Sequence, residues 1–288
     1  MEICPKCSSE LSEIKETCPT CGAHIGYPNV RAAERQAEKD ALETRYRNAL
    51  EESKVDGREH ALASFDESMK KTSAVINVEL KILHEFITSD KMIYSTYGLL
   101  VEGEMRIPAT AENDSARQTV GAKLFGSYAK QIRYAALSKD GGGPNSYGPY
   151  ALKLWEVAID DRATLLEDNS YVFVEKHGIR TLQEIPQGYR ATWRERHKLA
   201  VAKLSEQISS GTTEAEHSKI LLSGAGVRGT DEFIEVHIYG GFNNKAIESV
   251  RGSSTVKGGL SAEKKLGKAY ISIVKDYLKK AGKAWNEE

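Results

Sequence analysis

The sequence lacks the short signatures by which most enzymes show their chemistry. It has no G-x-S-x-G turn, no Walker A loop, no H-E-x-x-H helix and no G-x-G-x-x-G in a βαβ setting. The readiest forms of serine hydrolase, P-loop nucleotidase, metalloprotease and dinucleotide oxidoreductase are thereby excluded. No apolar run approaches the roughly 20 residues of a membrane-spanning helix. The start, Met1-Glu2-Ile3-Cys4, lacks the basic-then-apolar pattern of a secretory signal. A cytoplasmic protein with no membrane partner is expected. Charge of one sign is also missing: 40 basic residues face 41 acidic ones, for a formal net charge of −1. That argues against a generally basic nucleic-acid coat and leaves room only for a local basic patch. No internal repeat or low-complexity segment is visible. What remains, 40% hydrophobic and 28% charged over 288 residues, describes a globular chain of one large domain, or one medium domain with small attachments.

Cysteine is absent after residue 21. All four lie in Cys4-Pro5-Lys6-Cys7 and Cys18-Pro19-Thr20-Cys21, with ten residues between the pairs. Two C-x-x-C turns present four thiolates suited to a tetrahedral Zn²⁺, and Gly22 fits the tight knuckle after the second pair. Two disulfides or redox-active pairs are the alternative. With every Cys in the knuckle, a Cys nucleophile elsewhere is excluded.

After Gly26-Tyr27-Pro28-Asn29, with Asn29 a candidate N-cap, residues 30–53 read as a helix. Its thin apolar stripe (Ala33, Ala37, Ala41, Leu42, Tyr46, Leu50) fits either a projecting arm or a helix lying on the main domain. A second helix is expected over 59–69. From residue 73 the composition changes to that of a core. Helices are expected over 74–87, 116–128, 192–205 and 261–285, the last capped by Ser261. Strand material is read at 132–137, 147–155, 161–170, 171–174 and 233–239. Residues 92–101 and 246–250 fit strand or short helix, and 224–229 a glycine-rich turn. The run Gly141-Gly142-Gly143 is a poor phosphate loop because no helix start follows it.

One stretch stands out: Asp231-Glu232-Phe233-Ile234-Glu235-Val236-His237-Ile238-Tyr239-Gly240-Gly241. Strand alternation puts Ile234, Val236 and Ile238 on one face and Glu235, His237 and Tyr239 on the other. A carboxylate and an imidazole thus stand side by side, either as the polar face of a half-exposed strand or as a site. A basic-aromatic run, Tyr189-Arg190-Ala191-Thr192-Trp193-Arg194-Glu195-Arg196-His197-Lys198, offers phosphate and base contacts, with a solvated helix start as the plainer reading.

Taken in order, the series Leu124-Phe125-Gly126-Ser127-Tyr128, Arg133-Tyr134-Ala135-Ala136-Leu137, Ser146-Tyr147-Gly148, Arg162-Ala163-Thr164-Leu165, Asp168-Asn169-Ser170 and Glu235-Val236-His237-Ile238-Tyr239-Gly240-Gly241 resembles bacterial and phage ADP-ribosyltransferase-like domains. The resemblance covers about residues 115–255. It departs at Pro149, where those domains favour Asp, at Asn169, in place of a Gly-Asp pairing, and at His237, where they often have Gln. It implies an α+β fold: a zinc ribbon (1–27), a helical arm or linker (28–72), and a split β-sheet core with flanking helices (73–288). It also implies NAD⁺ as substrate, a macromolecular acceptor with nucleic acid favoured over protein, a toxin or anti-phage role, and an antitoxin or inhibitor partner. Glu235 would stabilise the oxocarbenium-like transition state, with Glu232 or His237 serving the acceptor. Arg133, Tyr134, Ser146, Tyr147, Tyr150 and Arg162 would contact NAD⁺. A non-catalytic zinc-ribbon scaffold and an NAD⁺ glycohydrolase are the rival readings.

Overall fold

The computed structural model describes residues 2–11, 15–94, 111–223, 226–227, 231–256 and 260–288. Most of 92–101 and of the expected turn at 224–229 lies outside them. The two short strands β1 (Glu2–Ile3) and β2 (Glu10–Leu11) pair antiparallel beside the cysteine turns. Helices α1 (Pro28–Ala33), α2 (Gln36–Val55) and α3 (Glu59–Met69) follow. The chain then enters a large sheet.

That sheet is built from β3 (Ser73–Val78), β4 (Ile132–Ser138), β5 (Tyr150–Leu154), β6 (Ala163–Leu166) and β7 (Arg190–Thr192). The short pair β8 (Leu222–Ser223) and β9 (Glu232–Phe233) stands apart from it. Strands β10 (Glu235–Tyr239), β11 (Ile247–Arg251) and β12 (Ala284–Asn286) complete it. The spatial order is β12-β11-β5-β3-β4-β10-β6-β7, and every pairing is antiparallel except β11 with β12. The remaining helices are α4 (Leu80–Thr88), α5 (Ala111–Phe125), α6 (Ser170–Lys176), α7 (Arg196–Leu204), α8 (His217–Leu221) and α9 (Ser261–Lys280). The fold is mixed α and β around one large sheet. Among the described residues no helix is long and apolar enough to cross a membrane.

Three expectations are corrected. Residues 74–87 are not one helix: Val75, Ile76 and Val78 are β-branched and buried in β3, and only from Leu80 does the spacing of Leu83, Phe86 and Ile87 make a helical stripe. Residues 171–174 are helical, not strand, because the Asn169 side chain accepts the Tyr171 N–H at 2.9 Å and caps α6. The last helix stops at Lys280, and Ala284–Asn286 pairs with β11 instead.

Residues 28–72 do not project. Leu42, Ala49, Leu62, Phe65 and Met69 are buried in the same apolar cluster as Leu137, Leu165, Val236 and Leu199. Asn29 is no cap. From inside α1 its amide donates to the carbonyls of Arg162 (3.0 Å) and His237 (3.2 Å) and to Thr164 Oγ1 (3.3 Å), pinning the helix across β6 and β10. Glu38 binds Arg190 and accepts the Gly188 N–H at 2.9 Å. Arg45 binds Glu167 and stacks over Tyr189 at 3.9 Å. Of the stripe read along α2, Leu42 lies in that cluster and Tyr46 and Leu50 pack against it, and these ion pairs fasten the helix beside them.

Replacing Glu38 by Ala strands Arg190 in a largely buried site, and should cost about 3–5 kcal/mol in urea unfolding. A loss under about 0.5 kcal/mol, the size of an ordinary surface change, would mean that α2 is only loosely laid on the domain.

Candidate functional site

Strand β10 lies between β4 and β6, with Glu235 opposite Ala136 and Leu166 and His237 opposite Tyr134 and Thr164. All five of its residues are buried. The Glu235 face is therefore not the half-exposed polar face that alternation alone allows. A second apolar cluster, including Leu124, Phe125, Ile132, Phe173 and Tyr239, brings α5 and α6 over that side of the sheet.

A buried carboxylate needs donors, and Glu235 has three on one oxygen. Its Oε2 accepts the Ser170 N–H at 2.9 Å, the Ser170 hydroxyl, and His237 Nε2 at 2.9 Å. Because the carboxylate can only accept, His237 carries its proton on Nε2. The same Nε2 lies 3.1 Å from Ser170 Oγ. Both contacts fall on one ring nitrogen, so the three residues do not form a nucleophile–base–acid relay. Among the described residues the other oxygen, Oε1, has no hydrogen-bond partner. The Ser170 N–H is available because it opens α6, where backbone donors have no intrahelical acceptor.

Aromatic rings wall the pair. Phe125 and Tyr134 meet the His237 ring edge-on, with centroids at 4.8 and 5.4 Å. Tyr134 keeps 36% of its surface open, the most exposed side chain of this group. Dense surroundings and then the Glu235 charge push its phenol up, so it stays protonated. Asn169 donates to the Tyr147 hydroxyl at 3.0 Å, and the Tyr147 ring stands edge-on to Phe233. Below, Asp168 is paired with Lys203 at 2.5 Å and Lys176 at 3.1 Å. Burial alone would raise its pKa, but the two ammonium groups hold it below the usual carboxylate range.

The expected residues therefore divide. Glu235, His237 and Tyr134 converge, and Tyr147 joins them through Asn169. Arg133 does not: one residue from Tyr134 along the strand, it lies on the opposite face with Ile238. Its guanidinium donates to the carbonyls of Gln131 (2.8 Å), Lys130 (3.3 Å) and Tyr94 (3.3 Å). Arg162 donates to the carbonyls of Ala158 (2.8 Å), Tyr239 (3.0 Å) and Gly241 (3.0 Å). Both arginines thus close the strand end at Gly240-Gly241. Gly240 takes φ +77°, and a Cβ on Gly241 would lie 2.5 Å from Ile93, so the glycines serve this turn. Ser146 binds Asp231, which also accepts the Gly226 and Val227 N–H groups. Tyr150 donates to Ser253 O at 3.4 Å beside Trp285, and Glu232 is exposed on β9. Ser170 and Asn169, not among the expected residues, bond Glu235 and Tyr147. Their signal was present in Asp168-Asn169-Ser170, an N-cap pattern hidden by reading 161–174 as strand.

Most of the basic-aromatic run is taken up by contacts within the fold, with Arg194 left exposed. Trp193 is 1% exposed and donates to Glu156 at 2.7 Å. Arg190 binds Glu38, Arg196 binds the carbonyls of Lys70 and Trp193, and Lys198 binds Glu43 and Glu195.

At the N-terminus the four thiol sulfurs lie within 4.8 Å of one another and can hold a metal ion. None is in a disulfide. The two turns repeat each other: Ser8 N donates to Cys4 O and Gly22 N to Cys18 O, each at 2.9 Å, and both residues have positive φ, 58° and 68°. The Ser9 hydroxyl stands 3.0 Å from Cys7 Sγ and 3.3 Å from Cys18 Sγ. That hydrogen bond, then the Cys21 amide, pull the Cys18 thiol down to about 5. The Tyr27 ring lies tilted against Tyr239 with centroids at 5.4 Å, and Arg31 reaches Lys15 O at 3.0 Å, so the segment after the knuckle rests on the same strand end as Arg162.

No family model matches the chain, and no curated protein matches it by sequence.

Ser170→Ala removes one donor to a buried charge and should cost about 1.5–3 kcal/mol in thermal or urea unfolding. The companion Glu235→Gln should partly offset that loss in the double variant, because an amide no longer demands three donors. Simple additivity of the two changes would refute the coupling drawn between them.

Proposed function

We propose that this chain cleaves the nicotinamide–ribose bond of NAD⁺ and transfers ADP-ribose to a macromolecule. The observation that carries the reading is the Glu235 carboxylate. Its Oε2 is fixed by Ser170 and His237, while Oε1 takes no bond among the described residues. A carboxylate so held pays no reorganisation when positive charge develops beside it, which is what an oxocarbenium-like ribose requires. In this reading nicotinamide leaves with the electrons of the C1′–N bond. An acceptor nucleophile bonds to C1′, and its proton passes to Glu235 and then to solvent. Tyr134 supplies the aromatic wall and a hydroxyl donor. Arg133 and Arg162 take no part. A non-catalytic scaffold is favoured by one fact, the 6% and 3% exposure of Glu235 and His237. The same reading assigns a structural Zn²⁺ to Cys4, Cys7, Cys18 and Cys21, whose all-sulfur set suits a closed tetrahedral site.

Purified protein is incubated with NAD⁺ labelled in its adenylate half and with RNA, DNA and protein acceptors. Label transfer is expected, reduced roughly 10²-fold or more in Glu235→Gln. Nicotinamide release without labelled acceptor would replace transfer by hydrolysis, and no NAD⁺ loss with any acceptor would leave the scaffold reading. Metal analysis should give about one zinc per chain, lost in Cys18→Ser. Metal-free protein of unchanged melting temperature would overturn the zinc assignment.

A further inference from the structure

The sequence carries two strongly basic runs, and the fold uses them differently. In the run at 189–198, Arg190, Arg196 and Lys198 are spent on ion pairs and carbonyls, and Arg194 alone of its Arg and Lys residues is exposed. Helix α9 is not spent in this way. Its 20 residues hold six lysines against two acids, in a chain whose net charge is −1. Gly267, Ile271, Val274 and Leu278 are its buried residues. Lys264, Lys265, Lys268, Lys279 and Lys280 are all exposed, and none makes an ion pair among the described residues.

Their spacing is ordered. Lys264, Lys268, Lys275 and Lys279 recur at steps of four, seven and four, which confines them to about 60° of the helix circumference. Lys275 is tethered within this row, 4.7 Å above the Trp285 ring and 3.3 Å from Glu287. At 1.5 Å per residue the row runs about 22 Å, the length of some six phosphates along one strand of a duplex at 3.4 Å each. The exposed apolar residues Leu266 and Ile273 fall roughly opposite the row across the outer arc of the helix. With its apolar residues turned away, the row has no side chain to insert into a bilayer beside the lysines, and its linear span matches a phosphate backbone.

We propose that the lysine row of α9 is a docking surface for the phosphate backbone of a nucleic acid, bound without regard to sequence. Contacts of this kind act through counterion release, so affinity falls steeply with salt. The surface is independent of the NAD⁺ reading, because binding is measured with no NAD⁺ present.

The test is fluorescence anisotropy of the full chain with a labelled 20-base-pair DNA duplex and a 20-nucleotide RNA, over a salt series. Phosphatidylserine-containing vesicles serve as the alternative polyanion. Wild-type protein should bind a nucleic acid at low salt. The triple change Lys264→Glu, Lys268→Glu, Lys279→Glu should weaken it at least about tenfold and flatten the log–log salt slope by about one per lysine lost. Gln at the same three positions should move both in the same direction, and Lys54→Glu on α2 should move neither. Absence of nucleic-acid binding, wild-type affinity in the triple variants, or binding to vesicles alone would each overturn the proposal.

Discussion

A carboxylate buried on an inner strand imposes the condition that much of this structure meets. Removing an ionised Glu235 from water costs several kcal/mol unless donors replace the lost hydration. The sheet neighbours cannot supply them, since β4 and β6 offer Ala136 and Leu166 at that level. The donors come from the start of α6 instead, and that fixes where the helix must begin. Asn169 caps it, and Asp168 is held one residue earlier by Lys203 and Lys176. Four consecutive residues, 167–170, are therefore buried and polar, which no hydrophobic pattern would produce.

The same segment ties the site to the N-terminal helices. Glu167 accepts Arg45 from α2, and Arg45 also donates to Gly188 O at 2.6 Å. Asn29 in α1 donates to the His237 carbonyl. Each of these contacts lies within a few residues of the Glu235–His237–Ser170 group. Buried ion pairs contribute little net stability against well-packed apolar residues, but breaking one leaves a stranded charge. Helix α1 thus reaches the site through the His237 backbone, and α2 reaches it only through Glu167, three residues before Ser170.

The strands β4 and β10 were legible from their runs of apolar, aromatic and β-branched residues, whereas β11, with only Ile247 and Val250 apolar, fitted strand or short helix equally. The strand at 73–78, read as the start of a helix, and the helix at 170–176, read as strand, were not, since a short apolar run has no period of its own. The site was half legible. Alternation put Glu235 and His237 on one face, and the structure keeps them there. Alternation also forbids adjacent strand residues from sharing a face, so Arg133 and Tyr134 could never both have lined one cleft. Ser170 was hidden by distance: 65 residues separate it from Glu235, and only the crossing of α6 over β10 joins them.

The two arginines that look like anion ligands in sequence illustrate how a polar residue is claimed. Arg133 and Arg162 are drawn to a strand end where the chain turns through Gly240 and Gly241 and leaves carbonyls unpaired. An arginine fork satisfies several such acceptors at once, and burial then lowers the pKa of both cations without neutralising them. Positive charge spent in this way is unavailable to a ligand beside Glu235. Near that carboxylate Tyr134, whose ring meets His237 edge-on, is the exposed side chain, on the face away from Arg133.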